Sequence, residues 1–170
     1  MFKIILCLIL ICACGTSGIL KAQQYSQRVR ELNEFKDMCL NLKTEISYMK
    51  DPLPVIFERI ADSRQNIASE MLKTCCQLMK DNQDMQYSWY SAVDMAARTG
   101  AVTRDDKAVI YDLGTQLGRS NVQGQLDLLE MTEQKLDIQI REAQTLKKTK
   151  GKMYAGLGFS IGTILAILLI

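Results

Sequence analysis

The sequence predicts an all-α protein: a bundle of roughly six helices, tethered by a transmembrane helix at each end. Three observations carry this. Apolar residues recur at spacings of three and four along nearly the whole polar segment, with no strand signal of any strength. The two prolines, Pro52 and Pro54, sit together, so no other helix meets one. Uncharged apolar runs occupy both termini. On this reading residues 1–20 form an N-terminal transmembrane helix or signal-like segment, 21–150 a cytosolic helical bundle, and 151–170 a C-terminal transmembrane helix.

The N-terminal run, Ile4 to Leu20, has 17 uncharged residues. As a helix it would span about 25 Å, short but sufficient for a bilayer core. The stretch ICACGTSG inside it reads three ways. It suits the end of a signal peptide, a lipoprotein box with Cys14 lipidated after Ile11, Cys12 and Ala13, or an uncut membrane helix. Lys3 precedes the run, and Lys21, Arg28 and Arg30 follow it. A signal peptide carries its positive charge ahead of the apolar stretch, so the balance favours the uncut helix.

From Tyr25 a long helix continues with Val29, Leu32, Phe35, Cys39, Leu42, Ile46 and Met49 on one face. Asp51-Pro-Leu-Pro54 turns the chain, because proline lacks the N–H donor and disfavours helix in the residue before it. A short helix follows over Val55–Ala61, with Ile56, Phe57, Ile60 and Ala61 inward. The next face is Ile67, Met71, Cys75, Leu78 and Met79, ending near Asp81-Asn82. Tyr87, Trp89, Tyr90, Val93, Ala96 and Ala97 belong to a helix that stops at Thr99-Gly100, where glycine suits a left-handed C-cap. Thr103 with Asp106 opens another like a capping box. Val109, Ile110, Leu113 and Leu117 line its core side and Gly118 closes it. Ser120-Asn121 caps the last helix, whose face Val122, Leu126, Leu129, Glu133, Leu136, Ile140 and Ala143 forms a heptad-like seam with one polar break. Short connections make neighbouring helices antiparallel, and an even number returns both chain ends to one side.

At the C-terminus Met153 to Ile170 is 18 residues without charge, preceded by Lys147, Lys148, Lys150 and Lys152. The lysine side faces the cytoplasm by the positive-inside rule. Two uncut spans with the middle segment inside satisfy both flanks at once. Gly158, Gly162 and Ala166 recur every four positions. They permit close helix–helix packing in lipid, or they merely lighten a lipid-facing helix; both readings stay open.

Composition excludes several function classes. The chain has 170 residues and no histidine, which removes the usual general base and the commonest metal ligand. Cys7, Cys12, Cys14, Cys39, Cys75 and Cys76 form no CxxC pair, so no zinc site is predicted, and the middle three read as small core fillers in a reducing compartment. Residues 21–150 hold 19 acidic and 19 basic side chains, which is not the basic excess of a nucleic-acid binder. GTQLGRS at Gly114–Ser120 has three residues between its glycines and arginine in place of lysine, so it reads as helix-capping glycine and not as a phosphate loop. Asp105 and Asp106 point about 100° apart on a helix and read as charge at its N-terminus. Trp89 between tyrosines reads as a core or interface anchor more than as a ligand platform. No catalytic, cofactor-binding or metal-binding constellation emerges.

The segment LGTQLGRSNVQGQLDLL, the REAQ that follows it on the long helix, and KKTKGKMYAGLGFSIGTILAILLI resemble the stage III sporulation protein AB family of endospore-forming bacteria. The likeness covers essentially the whole chain. Trp89 falls where that family tends to carry tryptophan, and Leu117-Gly118 through Gln125 to the Lys-Met-Tyr of residues 152–154 is the specific part; Trp89, Gly118 and Gln125 are the candidate fold-specifying residues. Asn121 departs from an aspartate of many relatives, although both residues cap helices well. The resemblance implies a non-enzymatic membrane platform, similar to the cytoplasmic helical domains of inner-membrane platform proteins in type II secretion and type IV pilus systems. It implies a place in a complex joining mother cell and forespore, in the mother-cell membrane with the bundle in the mother-cell cytosol. The implied partners are a secretion-type ATPase, stage III sporulation protein AA, and other membrane proteins of that complex. The alternative is an exported helical protein lipidated at Cys14. A membrane enzyme is the least supported reading.

Overall fold

The structure, a computed structural model, describes residues 2–49, 51–81, 83–151, 153, 154 and 160. All six helices are present: α1 (Phe2–Tyr48), α2 (Leu53–Ser63), α3 (Ile67–Lys80), α4 (Met85–Thr99), α5 (Arg104–Gln116) and α6 (Val122–Leu146). A π-helical turn, Lys147–Gly151, follows α6. Among the described residues there is no strand. The chain divides into two compact units, Met1–Val29 with Glu142–Ile170, and Arg30–Arg141.

In the second unit the helices begin where polar side chains can satisfy the first free N–H groups. Asn66 accepts from Ser69 N–H at 2.8 Å and Asp84 from Tyr87 N–H at 2.7 Å. Thr103 and Asp106 make the expected reciprocal box: the Thr103 N–H donates to Asp106 Oδ2 at 2.8 Å, and the Asp106 N–H to Thr103 Oγ1 at 3.3 Å. Asn121 Oδ1 accepts from Gly124 N–H at 2.9 Å. At the proline corner, Pro52 precedes α2 and Pro54 occupies its first turn, where a missing N–H costs nothing. Arg59 holds that corner, pairing with Glu45 and, at 2.7 Å, with Asp51.

The core of this unit takes Leu32, Phe35, Met38, Cys39, Leu42 and Ile46 from α1, all buried. Ile56, Phe57, Ile60 and Ala61 of α2 are buried as the sequence predicts. The α3 face sits further round than predicted: Ala68, Met71, Leu72, Cys75 and Cys76 are buried, while Ile67, Leu78 and Met79 are only half-buried. α3 packs against both α2 and α4, and α4 against α5. Lys36 pairs with Asp137 at 2.6 Å and Lys43 with Glu130 at 3.3 Å. The partners descend along α6 as they ascend along α1, so these two helices run antiparallel.

Three local expectations need correction. Gly100 is not a left-handed cap: its φ is −92° and its ψ −176°, extended backbone. A β-carbon there would lie 2.5 Å from Ile67 Cδ1 and 2.8 Å from Glu31 Oε2, so both side-chain ends would have to shift to admit it. The buried Glu31 carboxylate fills that space and accepts from Ala101 N–H at 2.6 Å. Gly114 is no cap either, because it lies inside α5. Gly118 does close α5, with φ +81°, a conformation glycine adopts without the Cβ penalty. The seam of α6 is buried from Leu129 onward; Val122 is exposed and Leu126 half-buried. Glu133 interrupts it as expected, with its Oε1 buried and without a hydrogen-bond partner.

In the first unit, α1 as far as Val29 and the chain from Glu142 onward bury Arg28, Ala143 and Gly151. Tyr25 and Tyr154 stack at 6.2 Å between ring centroids. Among the described residues no helix is long and apolar enough to cross a membrane. The transmembrane tethers expected at residues 1–20 and 151–170 are therefore not carried by the described structure. The N-terminal apolar run is no separate element but the opening of the 47-residue α1, which turns polar at Lys21. Most of the C-terminal run lies outside the described residues, including Gly158, Gly162 and Ala166, as does the side chain of Cys14.

Candidate partner-binding site

Helix α4 organises the second unit through Trp89, which is fully buried. Its ring meets the Phe57 ring at 5.7 Å between centroids, and its Nε1–H donates to the Ile110 carbonyl at 2.9 Å. Ile110 lies one turn before Gly114. A β-carbon on Gly114 would sit 2.1 Å from Trp89 Cδ1 and 2.4 Å from Cγ and Nε1. The indole thus lies flush on the α5 backbone, possible only because residue 114 has no side chain. Trp89 is a core anchor, the reading the sequence favours.

Gly118 and Gln125 belong to a different contact. A β-carbon on Gly118 would reach Leu53 Cδ1 at 2.9 Å. Leu53 and Gln125 line one depression of about 230 Å³ together with Ile46, Ile56 and Val122. Gln125 Nε2–H donates to the Ser120 carbonyl at 3.1 Å, while its buried Oε1 has no partner. The candidate fold-specifying residues therefore fall into two places, the Trp89–Gly114 contact and the α5–α6 turn over Leu53.

The outward side of α4 carries two features. Toward α5, Asp94 accepts from Lys107 Nζ at 2.6 Å and from the Tyr111 hydroxyl. Hydrogen bonds from Lys107 and Tyr111 hold the Asp94 carboxyl below its ordinary range, and the same Asp94 bond raises Lys107. Desolvation, then the Asp94 bond, raises the Tyr111 phenol. Lys107 lies 4.9 Å from the Tyr111 ring centroid, and Tyr90 meets that ring edge-on at 4.8 Å. Lys107 and Tyr111 both donate to Asp94, so the cluster ties α4 to α5.

Toward α3, residues Ala92, Met95, Ala96 and Thr99 form one stripe at helical spacing. With Ile67, Met71 and Thr74 they line an open groove of about 310 Å³, and Glu70 and Arg98 flank it. Met95 is 55% exposed at its edge. An apolar floor, a flexible thioether and charged rims are what an interface patch needs to take an apolar side chain while excluding water around it. Met95 and Gly114 are the residues that sequence reasoning missed. Gly114 left a signal: a glycine inside an apolar helical face costs about 1 kcal/mol against alanine and so asks for a packing reason. Met95 left none, because its exposure depends on where α3 lies.

Cys39, Cys75 and Cys76 are free and buried. Burial pushes the Cys39 and Cys75 thiols up to about 12 and Cys76 up to about 11. At neutral pH they are not nucleophiles. Among the described residues no three His, Cys, Asp or Glu side chains cluster to hold a metal ion.

The stage III sporulation protein AB profile matches residues 3–170. The chain belongs to the stage III sporulation protein AB family. Stage III sporulation protein AB of Bacillus subtilis (strain 168) is 22% identical over 170 residues, covering 99% of each chain. A solved structure titled stage III sporulation protein AB superposes with a TM-score of 0.65 at 18% identity, over 72% of this chain and 98% of that one. At that identity the superposition speaks for the fold, and it agrees with the helical architecture described above. The resemblance carried by Gly118, Gln125 and the C-terminal run is thereby established as family membership.

Proposed function

We propose that this member of the stage III sporulation protein AB family is a non-enzymatic membrane platform in a sporulation-specific, secretion-like complex, and that its second unit docks a secretion-type ATPase, stage III sporulation protein AA, from the mother-cell cytosol. The observation that carries the docking role is the α3–α4 groove: an open apolar channel with Met95 at its edge, on helices whose inner faces are fully used by the core. The tether rests on the two uncharged apolar runs and their basic flanks. The alternative, lipidation at Cys14 with the helices outside, makes the opposite prediction of topology.

Two measurements test this. The full chain is captured with the ATPase, and Met95→Glu, which puts a charge on the groove edge, is expected to abolish capture while leaving helicity unchanged. Capture unaffected by Met95→Glu removes the groove, and no capture by the wild type removes the docking role. Topology is read with an impermeant maleimide on Gln134→Cys, an exposed position of α6. The native thiols cannot serve, since Cys39, Cys75 and Cys76 are buried and protonated on either side of a membrane. Labelling of intact cells at residue 134 would contradict the cytosolic placement and turn attention to Cys14.

A further inference from the structure

The charge of the chain is divided unevenly between its two units. The first unit, Met1–Val29 with Glu142–Ile170, holds seven basic residues and one acidic residue, net +6. The second holds 14 basic and 18 acidic residues, net −4. Within the first unit a groove of about 490 Å³ lies between α1 and the π-helical turn. That volume falls inside the range of small-molecule pockets, roughly 300–1,000 Å³. Ala22 and Val29 give it apolar walls, Ser26 a hydroxyl, and Lys147 and Lys148 two ammonium groups, with Gly151 closing it.

The π-helical turn is part of the design. An i→i+5 turn is wider than an α-turn and is frequently found at functional sites. Here it follows directly on α6 and carries Lys147, Lys148 and Lys150. Lys147 and Lys148 are exposed and make no ion pair among the described residues. The only carboxylate side chain of the unit is Glu142, which does not line the groove. An anion with an apolar tail matches this lining: its phosphate meets the two ammonium groups and the Ser26 hydroxyl, and the first carbons of its acyl chains leave past Ala22, on the side toward Leu20. The groove also adjoins, in sequence, the apolar runs that end at Leu20 and begin at Met153, so it stands where a bilayer's phosphates would be.

We propose that the groove between residues 22–29 of α1 and the Lys147–Gly151 turn binds the headgroup of an anionic phospholipid. The proposal rests on the membrane tether put forward above. Basic side chains near an anionic leaflet each add to binding, and here two of them converge on one cavity.

The test uses the full chain, with vesicles of phosphatidylcholine alone or of phosphatidylcholine with a minor fraction of phosphatidylglycerol. Flotation reads the tether. Native mass spectrometry of the detergent-extracted chain then reads retained lipid. The expected result is flotation with both vesicles and retention of phosphatidylglycerol only. The Lys147→Gln/Lys148→Gln double variant should lower retention roughly thirtyfold, and Ala22→Trp, which fills the groove, should also lower it. Lys150→Gln, on the same turn but outside the lining, should leave retention nearly unchanged. An equal loss with Lys150→Gln means diffuse attraction and overturns the site. Displacement of the lipid by inorganic phosphate at a comparable concentration makes it a free-anion site and overturns the lipid assignment. Flotation without selective retention overturns the proposal and leaves the tether standing. Absence of flotation overturns both.

Discussion

Gly114→Ala sets two opposed effects against each other at one atom. Alanine is the better helix former by about 1 kcal/mol, and residue 114 lies within α5. The added β-carbon, however, would stand 2.1 Å from Trp89 Cδ1, so the indole must withdraw. Forcing a methyl group into a packed contact costs about 1–3 kcal/mol. Withdrawal also breaks the 2.9 Å bond from Trp89 Nε1–H to the Ile110 carbonyl, for about 1 kcal/mol more. The net is a loss of about 1–3 kcal/mol, which lowers Tm by about 2–12 °C for a chain of this size. Thermal melting of the full chain followed by far-UV circular dichroism measures it. The sole tryptophan supplies an independent report, since its emission should shift as the ring leaves its pocket. The Trp89→Ala background isolates the cause: with no ring against residue 114, Gly114→Ala should cost little or stabilise, giving a coupling free energy of about 1–3 kcal/mol. If Gly114→Ala raises Tm in the wild-type background, the flush contact of indole on backbone is refuted.

Two further substitutions probe polar groups held in the core. Burial raises the Glu133 carboxyl, against the pull of Lys43 and Lys36 on α1 and with Glu130 and Asp137 on its own helix pushing the same way as burial; Cys39 faces it from α1. A carboxyl raised in the folded state binds more protons there than in the unfolded chain, so stability falls as pH rises from 4.5 toward the raised value. Glu133→Gln should therefore gain stability over wild type between mildly acidic and neutral pH, and urea midpoints separated by the same amount at both would contradict this. Asp106→Ala removes half of the capping box at a residue with 0% exposure, and should cost about 1–2 kcal/mol by urea denaturation; a change within about 0.5 kcal/mol would show that the box contributes nothing.

The helices themselves were legible because period and punctuation agree. Leu32, Phe35, Cys39, Leu42 and Ile46 repeat at three and four residues, and all five are buried. Thr103 and Asp106 mark the start of α5 by chemistry that works locally, and Gly118 marks its end by a positive φ. What failed to show in sequence depends on a neighbour distant along the chain. Gly100 looks like any C-cap until Glu31 and Ile67 close in on it. Gly114 reads as part of a glycine pair until Trp89 is laid on it. The α3 face was read from Ile67 and Leu78, but Leu72 and Cys76 are deeper because α3 serves α2 and α4 at once. Met95 falls outside the apolar face read for α4, and the groove beside it exists only once two helices are placed together.

Charge shows the same dependence on the fold. Taken as a block, residues 21–150 are neutral, which argues against strong electrostatic partners. Redrawn along the compact units, the same side chains separate into +4 and −4, because Lys21, Arg28, Lys147, Lys148 and Lys150 fold with the chain ends and not with the helical core; Lys3 and Lys152 bring the first unit to +6. Neutrality was the cancellation of two opposed fields. Exposed charges act over about 8 Å at physiological salt, so an approaching surface feels the unit it meets and not the sum. An anionic bilayer attracts the first unit and repels the second. A soluble partner drawn to the acidic unit is therefore selected for basic character, and the same basic partner is turned away from the lysine-bearing groove. Under the proposed function, this division of charge gives membrane and partner separate parts of one chain.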